Sequence, residues 1–292
     1  MPETITDESS EKIMNEGHCL CGAVRWSLSA EPFAIYNCHC RMCQKSHGAA
    51  FGTYAFVKAD QFRWLGDNSS VVHYRSSETL TRCFCGKCGS VVPYPDDSGD
   101  TWVAPAGCHD FMRKPDYNIF VEDNAPWHII SGDLPECSEY PEESGLPAVK
   151  GLSAPVKTSG HGSGSCLCGA VTYRLHAPMT IAHNCHCSRC RHGRAAAHAT
   201  NGFVGVDDLE YLTGEDHLQS YKVPEARSFT QVFCEVCSSL MPRKNPAAGV
   251  AVVPLSSLDD DPGIRPVDHI FVDDKAPWHD ITDDLPQLPK AP

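Results

Sequence analysis

The chain repeats itself, and no other feature constrains its fold as tightly. Cys19-Leu20-Cys21-Gly22-Ala23-Val24 returns as Cys166-Leu167-Cys168-Gly169-Ala170-Val171, an offset of 166 − 19 = 147. Asn37-Cys38-His39-Cys40 with Cys43 returns as Asn184-Cys185-His186-Cys187 with Cys190, again at 147. Phe84-Cys85 with Cys88 returns as Phe233-Cys234 with Cys237 at 149, and Ala125-Pro126-Trp127-His128 returns as Ala276-Pro277-Trp278-His279 at 151. Four blocks in one order, with the offset drifting by a few residues, define a duplicated domain with small loop insertions. At 292 residues there is room for two such domains, each able to bury its own core. The expected division is a loose tail at 1–15, a first domain at 16–137, a Pro/Gly/Ser-rich linker at 138–164 and a second domain at 165–288.

Inside each copy the apolar pattern alternates as a strand does, over Ala23 to Leu28, Val171 to Leu175 and Val71 to Tyr74. Val91-Val92, Trp102-Val103 and Gly249 to Val253 are short apolar runs bounded by turn residues. One helical turn is expected after each Cys-His-Cys, from Arg41 to Ser46 and from Ser188 to His192. Each copy therefore reads as mainly β.

A formal net charge of −13, with no basic cluster longer than Arg243-Lys244, argues against nucleic acid or an anionic membrane as partner. No apolar run is long enough to span a bilayer. Met1 to Lys12 is acidic and polar and lacks the apolar stretch of a signal peptide, so a cytoplasmic chain with reduced thiols is expected. In that compartment 17 cysteines, an odd number, point to metal rather than to a disulfide framework.

Each copy repeats seven cysteines: Cys19, Cys21, Cys38, Cys40, Cys43, Cys85 and Cys88, then Cys166, Cys168, Cys185, Cys187, Cys190, Cys234 and Cys237. Structural zinc takes four protein ligands, whereas catalytic zinc takes three and keeps one position open. Four plus three accounts for all seven. Cys19-x-Cys21 and Cys85-x-x-Cys88 are paired hooks from distant parts of the chain, the usual construction of a closed four-cysteine site. Cys38-His39-Cys40-x-x-Cys43 packs three thiolates into six residues, which lets all three face one metal from one side. A pair could still be exchanged between the sites. The bland alternative is that all seven serve structural zinc, with His39 or water completing the second site. A side chain between two ligating neighbours, as His39 and His186 are, more often points away. Cys83 aligns with Val232, and Cys108 and Cys137 have no cysteine counterpart, so none of these three is expected to bind metal.

With these motifs in view, the chain resembles the glutathione-dependent formaldehyde-activating family, which also includes centromere protein V. The resemblance rests on Cys-x-Cys-Gly-x-Val, Cys-His-Cys-x-x-Cys, Phe-Cys-x-x-Cys and the Ala-Pro-Trp block, each present twice. It implies two tandem β-tent zinc domains, with two zinc ions per copy and up to four per chain. Cys19, Cys21, Cys85 and Cys88, and Cys166, Cys168, Cys234 and Cys237, match the structural ligands. Cys38, Cys40 and Cys43, and Cys185, Cys187 and Cys190, match the catalytic ones. The implied activity is that of a carbon–sulfur lyase, joining or parting a small thiol such as glutathione and a small aldehyde such as formaldehyde.

That activity suits the chemistry. A free thiol has a pKa of about 8.5, and coordination to a metal removes its proton. Lys45 and His47, with His192 and Arg194, are candidates to orient substrate, set against the plainer reading of a solvated cationic face and turn residues. Trp127 and Trp278 read as core anchors rather than substrate platforms. The first copy keeps the family style through Phe51 and has Gly89 after its knuckle, where the second has Ser238, so the first is expected to carry the activity. Two other readings stay open: a non-catalytic binding or scaffolding module, and a lyase for a different thiol. Tandem copies could also pack as an internal pseudo-dimer.

Overall fold

A computed structural model of the chain describes residues 15–146 and 162–291. The tail expected at 1–15, apart from Asn15, and the middle of the linker expected at 138–164 lie outside the described residues.

Both copies are mainly β and share one plan. The first begins with a three-stranded antiparallel sheet of Asn15–His18, Arg25–Leu28 and Phe62–Trp64. The second matches it with Ser163–Ser165, Thr172–Leu175 and Leu209–Thr213. A six-stranded sheet follows in each. Its order in the first copy is Glu136–Cys137, Tyr117–Ile119, Ala34–Cys38, Gly52–Lys58, Thr101–Pro105 and Tyr94–Pro95. Gln287–Leu288, His269–Ile270, Ile181–Cys185, Ala199–Gly205, Val250–Pro254 and Arg243–Asn245 repeat that order in the second. Val71–Ser77 pairs with Leu80–Cys85, as Leu218–Lys222 pairs with Thr230–Cys234, and each pair delivers a Cys-x-x-Cys knuckle.

The expected helical turns are the helices Arg41–His47 (α1) and Ser188–Arg194 (α2). A sulfur caps each one. Cys40 and Cys187 sit at the N-caps, and their Sγ atoms accept from the N–H of Cys43 and Cys190 at 3.4 Å. Gly48 ends α1 with φ +62°, the left-handed turn that glycine adopts without strain. Ala195 ends α2 in the same conformation at φ +53°.

The two helices also join the copies. From α1, Lys45 donates to Ser165 O at 2.6 Å and to Asp259 Oδ1 at 2.8 Å, with both charged side chains fully buried. Burial pushes the Lys45 ammonium down to about 8. Its counterpart on α2 is His192, because 45 + 147 = 192. His192 donates to His18 O at 3.0 Å and stacks on the His18 ring at 4.3 Å, and 18 + 147 = 165 returns to Ser165. One helix position thus reaches the same strand of the opposite copy in both directions. The contact is close: a Cβ on Gly107 would stand 2.1 Å from the backbone nitrogen of Ala196. Among the described residues no helix is long and apolar enough to cross a membrane.

Candidate metal centres and the cavities beside them

The turn after each copy's first strand and the later knuckle bring the cysteines together in the groups expected from spacing. Cys19, Cys21, Cys85 and Cys88 place their sulfurs within 4.8 Å of one another, as do Cys166, Cys168, Cys234 and Cys237. Neighbouring sulfurs stand 3.5 and 3.7 Å apart in the first group and 3.4 and 3.8 Å in the second. Tetrahedral zinc with bonds of about 2.3 Å needs sulfurs about 3.8 Å apart, so both groups fit it. Backbone N–H groups of Val24 and Val171 donate to the sulfurs of Cys19 and Cys166. Hydrogen bonds from neighbouring sulfurs hold Cys21 and Cys168 below the usual thiol range.

The triads form at the end of a strand and the start of a helix. Cys38 closes Ala34–Cys38, Cys40 caps α1 and Cys43 lies in its first turn; Cys185, Cys187 and Cys190 repeat this on α2. Each triad also converges within 4.8 Å. The neighbouring sulfurs push Cys43 and Cys187 below the usual thiol range. A set of three sulfurs with one side free suits a cation with an open position.

The surroundings of the triads differ sharply. Beside the first, the free space is about 30 Å³, roughly the share of one water in the liquid. Arg82 donates to Tyr54 Oη at 2.9 Å and to Cys43 Sγ at 3.4 Å. Tyr140, from the stretch expected as a linker, closes over it with its ring 5.5 Å from Phe120. The second triad opens on a cavity of about 410 Å³ lined by Arg189, Arg194, Arg227 and Arg243, with no Asp or Glu in its wall among the described residues. The repeat explains the contrast. Met42, Tyr54, Arg82 and Tyr94 of the first copy correspond to Arg189, Asn201, Gln231 and Arg243 of the second, at offsets of 147 and 149. Two tyrosines and Arg82, whose guanidinium is bound to Tyr54 and Cys43, fill one site; asparagine, glutamine and arginines stand at the matching positions around the open one.

Comparison with known proteins agrees with this architecture. The sequence profile of the family described as glutathione-dependent formaldehyde-activating enzyme matches residues 14–123 and again 161–274. The chain belongs to that family. A Halomonas elongata protein provisionally named glutathione-dependent formaldehyde-activating enzyme is 30% identical over 143 residues, which cover 44% of this chain and 90% of its own. A crystal structure of a Rhodobacter sphaeroides protein is 26% identical and covers 36% of this chain and 97% of its own. Its TM-score of 0.29 is too low to bear on the fold.

Within this formaldehyde-activating framework the four orienting candidates separate. Lys45 is buried at the copy junction, and His192 rests on His18. His47 bonds Arg194 O at 2.7 Å and Tyr54 Oη at 2.6 Å, and burial holds it neutral, near 4. Only Arg194 lines the open cavity. The plainer reading of a solvated cationic face also fails for Lys45, because its charge is matched inside by Asp259. Trp127 and Trp278 are buried, as core anchors are. His39 and His186 lie outside the sulfur triads; His39 bonds Asn118 Oδ1 at 3.1 Å and His186 bonds His269 Nδ1 at 2.8 Å. Ser238 keeps the left-handed turn of Gly89, at φ +60° against +75°, so losing the glycine did not lose the knuckle.

Sequence reasoning did not single out Arg82, Tyr54, Tyr94 and Tyr140 as the plug of one site, nor Arg189 and Arg243 as the wall of the other. The signal was present in the repeat, since these positions change character between copies whose cysteines do not.

Proposed function

We propose that the chain is a zinc-dependent carbon–sulfur lyase that joins and parts a glutathione-like thiol and formaldehyde or another small aldehyde, working at Cys185, Cys187 and Cys190. The observation that carries this reading is the arginine-lined cavity of about 410 Å³ opening on that triad. Cavities of roughly 300–1,000 Å³ hold small organic ligands. Glutathione brings two carboxylates on either side of its thiol, and Arg189, Arg227 and Arg243 supply cations around the sulfurs in a chain whose net charge is −13. Guanidinium groups grip carboxylates through paired hydrogen bonds, which would fix the thiol relative to the triad.

Zinc at the second triad supplies the acidity that keeps a substrate thiol deprotonated at neutral pH. In the forward direction the thiolate sulfur bonds to the carbonyl carbon, and the former carbonyl oxygen takes up a proton to become a hydroxyl. The reverse breaks that C–S bond and returns the proton. Cys38, Cys40 and Cys43 would bind the same ion in a site closed by Arg82 and Tyr140, supporting the fold. The four-sulfur groups would be structural, giving up to four thiolate-bound zinc ions per chain in a reducing cytoplasm. The two copies then work as an internal pseudo-dimer with one open site.

Exchange NMR on the zinc-loaded chain tests this. Formaldehyde with glutathione should exchange faster than with an uncharged thiol of equal acidity, and Arg243→Met should remove most of that preference. Equal acceleration of both thiols would rule out carboxylate recognition in the cavity. No acceleration of any thiol would rule out the lyase.

A further inference from the structure

Histidines gather where the copies meet, in a group distinct from the four sulfur groups, with His186 placed in sequence between Cys185 and Cys187. His186, His198 and His279 place ring nitrogens within 4.8 Å of one another. Their ring centroids form a triangle of 5.1, 5.6 and 5.6 Å. His198 is 4% exposed, yet neither of its ring nitrogens has a partner, and His186 Nδ1 is likewise buried and unpartnered. Unmatched buried nitrogens cost stability unless something occupies their lone pairs.

The surrounding hydrogen bonds aim one lone pair inward. The Asp283 carboxylate accepts from His269 Nε2 at 3.0 Å, which leaves His269 Nδ1 to accept from His186 Nε2 at 2.8 Å. With both imidazoles neutral, that chain of hydrogen bonds leaves His186 Nδ1 as the unprotonated nitrogen. A carboxylate–histidine relay behind a ligand is how metal-binding imidazoles are held in one tautomer and orientation. A cavity of about 350 Å³, lined by His198 and His279 among others, reaches the cluster from solvent.

The other copy supplies an internal control. Positions 186, 198, 279 and 269 correspond to His39, Phe51, His128 and Asn118, at offsets of 147 and 151. There the rings form nearly the same triangle, 5.2, 5.5 and 5.8 Å, but the third corner is phenylalanine. His39 Nε2 donates to Asn118 Oδ1 at 3.1 Å, leaving its own Nδ1 buried and unpartnered. The second copy thus differs by two changes. One adds the third nitrogen and the other extends the relay to a carboxylate.

We infer that His186, His198 and His279 form a fifth metal site, a three-histidine site for a divalent transition-metal ion such as zinc, with its open position facing the cavity between the copies. Imidazole suits zinc, cobalt, nickel and copper. Zinc–nitrogen bonds of about 2.0–2.1 Å place tetrahedral nitrogens about 3.4 Å apart, so the three rings, whose nitrogens lie within 4.8 Å of one another, draw together on binding. The inference is independent of the lyase reading, since it uses none of the sulfur ligands.

The test uses the full chain with its sulfur sites saturated with zinc. Equilibrium dialysis against zinc, followed by elemental analysis, compares it with His198→Phe, the residue the fold already accepts at the matching position. His198→Phe should hold one equivalent less with thiolate-bound zinc unchanged. His269→Asn should keep the site but bind about 10–100-fold more weakly, since it cuts the relay. Cobalt(II) added to the zinc-loaded chain should give ligand-field absorption without thiolate-to-cobalt charge transfer, and should give none in His198→Phe. Equal metal content in the chain and in His198→Phe would overturn the site, as would thiolate charge transfer from the added cobalt. Should His198→Phe fail to fold, His279→Gln removes a different ligand, and it must lose the same equivalent or the inference is wrong.

Discussion

Phe51 and His198 occupy the same place in the repeat, 51 + 147 = 198, and they meet each other, ring centroids 5.6 Å apart at an interplanar angle of 81°. Two equivalent residues touch only near a local twofold axis, so this pair marks where the copies face one another. The copies diverged at the pair itself. Duplication supplied two similar surfaces, and substitution then made their junction asymmetric.

The junction should contribute heavily to stability through Lys45. Replacing it with methionine takes the cation from Asp259, a carboxylate held 2.8 Å away in a fully buried setting. Breaking a buried pair from one side costs about 3–5 kcal/mol, whereas replacing both partners with apolar groups is often nearly neutral. Urea denaturation should find Lys45→Met strongly destabilised and Lys45→Met with Asp259→Leu largely restored. A double variant as unstable as the single one would show that the pair's hydrogen bonds to Ser165, not its charges, hold the junction.

The two kinds of sulfur group should fail differently. Cys85→Ser opens a group that ties the strand Leu80–Cys85 to the first turn of the copy, so metal binding there is folding energy. Soluble yield or melting temperature should drop steeply. Cys40→Ser removes one sulfur of a triad whose neighbours still pack, and a folded protein lacking about one zinc should result. Unfolding in Cys40→Ser with a stable Cys85→Ser would reverse the assignment of structural ligands.

Much of this was legible in the sequence because sulfur spacing is local. Cys38, Cys40 and Cys43 lie within one strand end and one helical turn, so geometry follows from spacing. The four-sulfur groups were legible because paired hooks leave few alternatives. The preference for the first copy does not match the cavities, for a physical reason. In the family-like stretch from Gln44 to Phe51, Lys45, His47 and Phe51 contact the other copy, and none of the stretch lines the triad's open side. The triad's walls come from residues 54, 82, 94 and 140, far apart in sequence and close only after the sheets form. Tyr140 in particular comes from a stretch whose composition reads as linker.

Acid should weaken the fold through buried neutral histidines. His109 accepts from Trp26 Nε1 at Nε2 and donates from Nδ1 to Asn15, and burial pushes its pKa down to about 3 from 6.5. Below pH 6.5 the unfolded chain takes up this proton while the folded chain does not. Stability is therefore full above that pH and falls on the way down to the folded value, by about 1.4 kcal/mol per pH unit for one such group. Urea melts at pH 6.5 to 5, with zinc release followed in parallel, should give His109→Gln a slope shallower by one proton. An unchanged slope would mean that His109 is protonated in the folded chain.

The central claim is that the open triad of the second copy performs the chemistry. It is tested most directly by measuring thiol–formaldehyde exchange in zinc-loaded Cys187→Ser and Cys40→Ser, each first confirmed as folded. We predict that Cys187→Ser loses nearly all acceleration of glutathione exchange, whereas Cys40→Ser, whose triad is sealed by Arg82 and Tyr140, keeps most of it. Loss in Cys40→Ser with activity retained in Cys187→Ser would contradict the account.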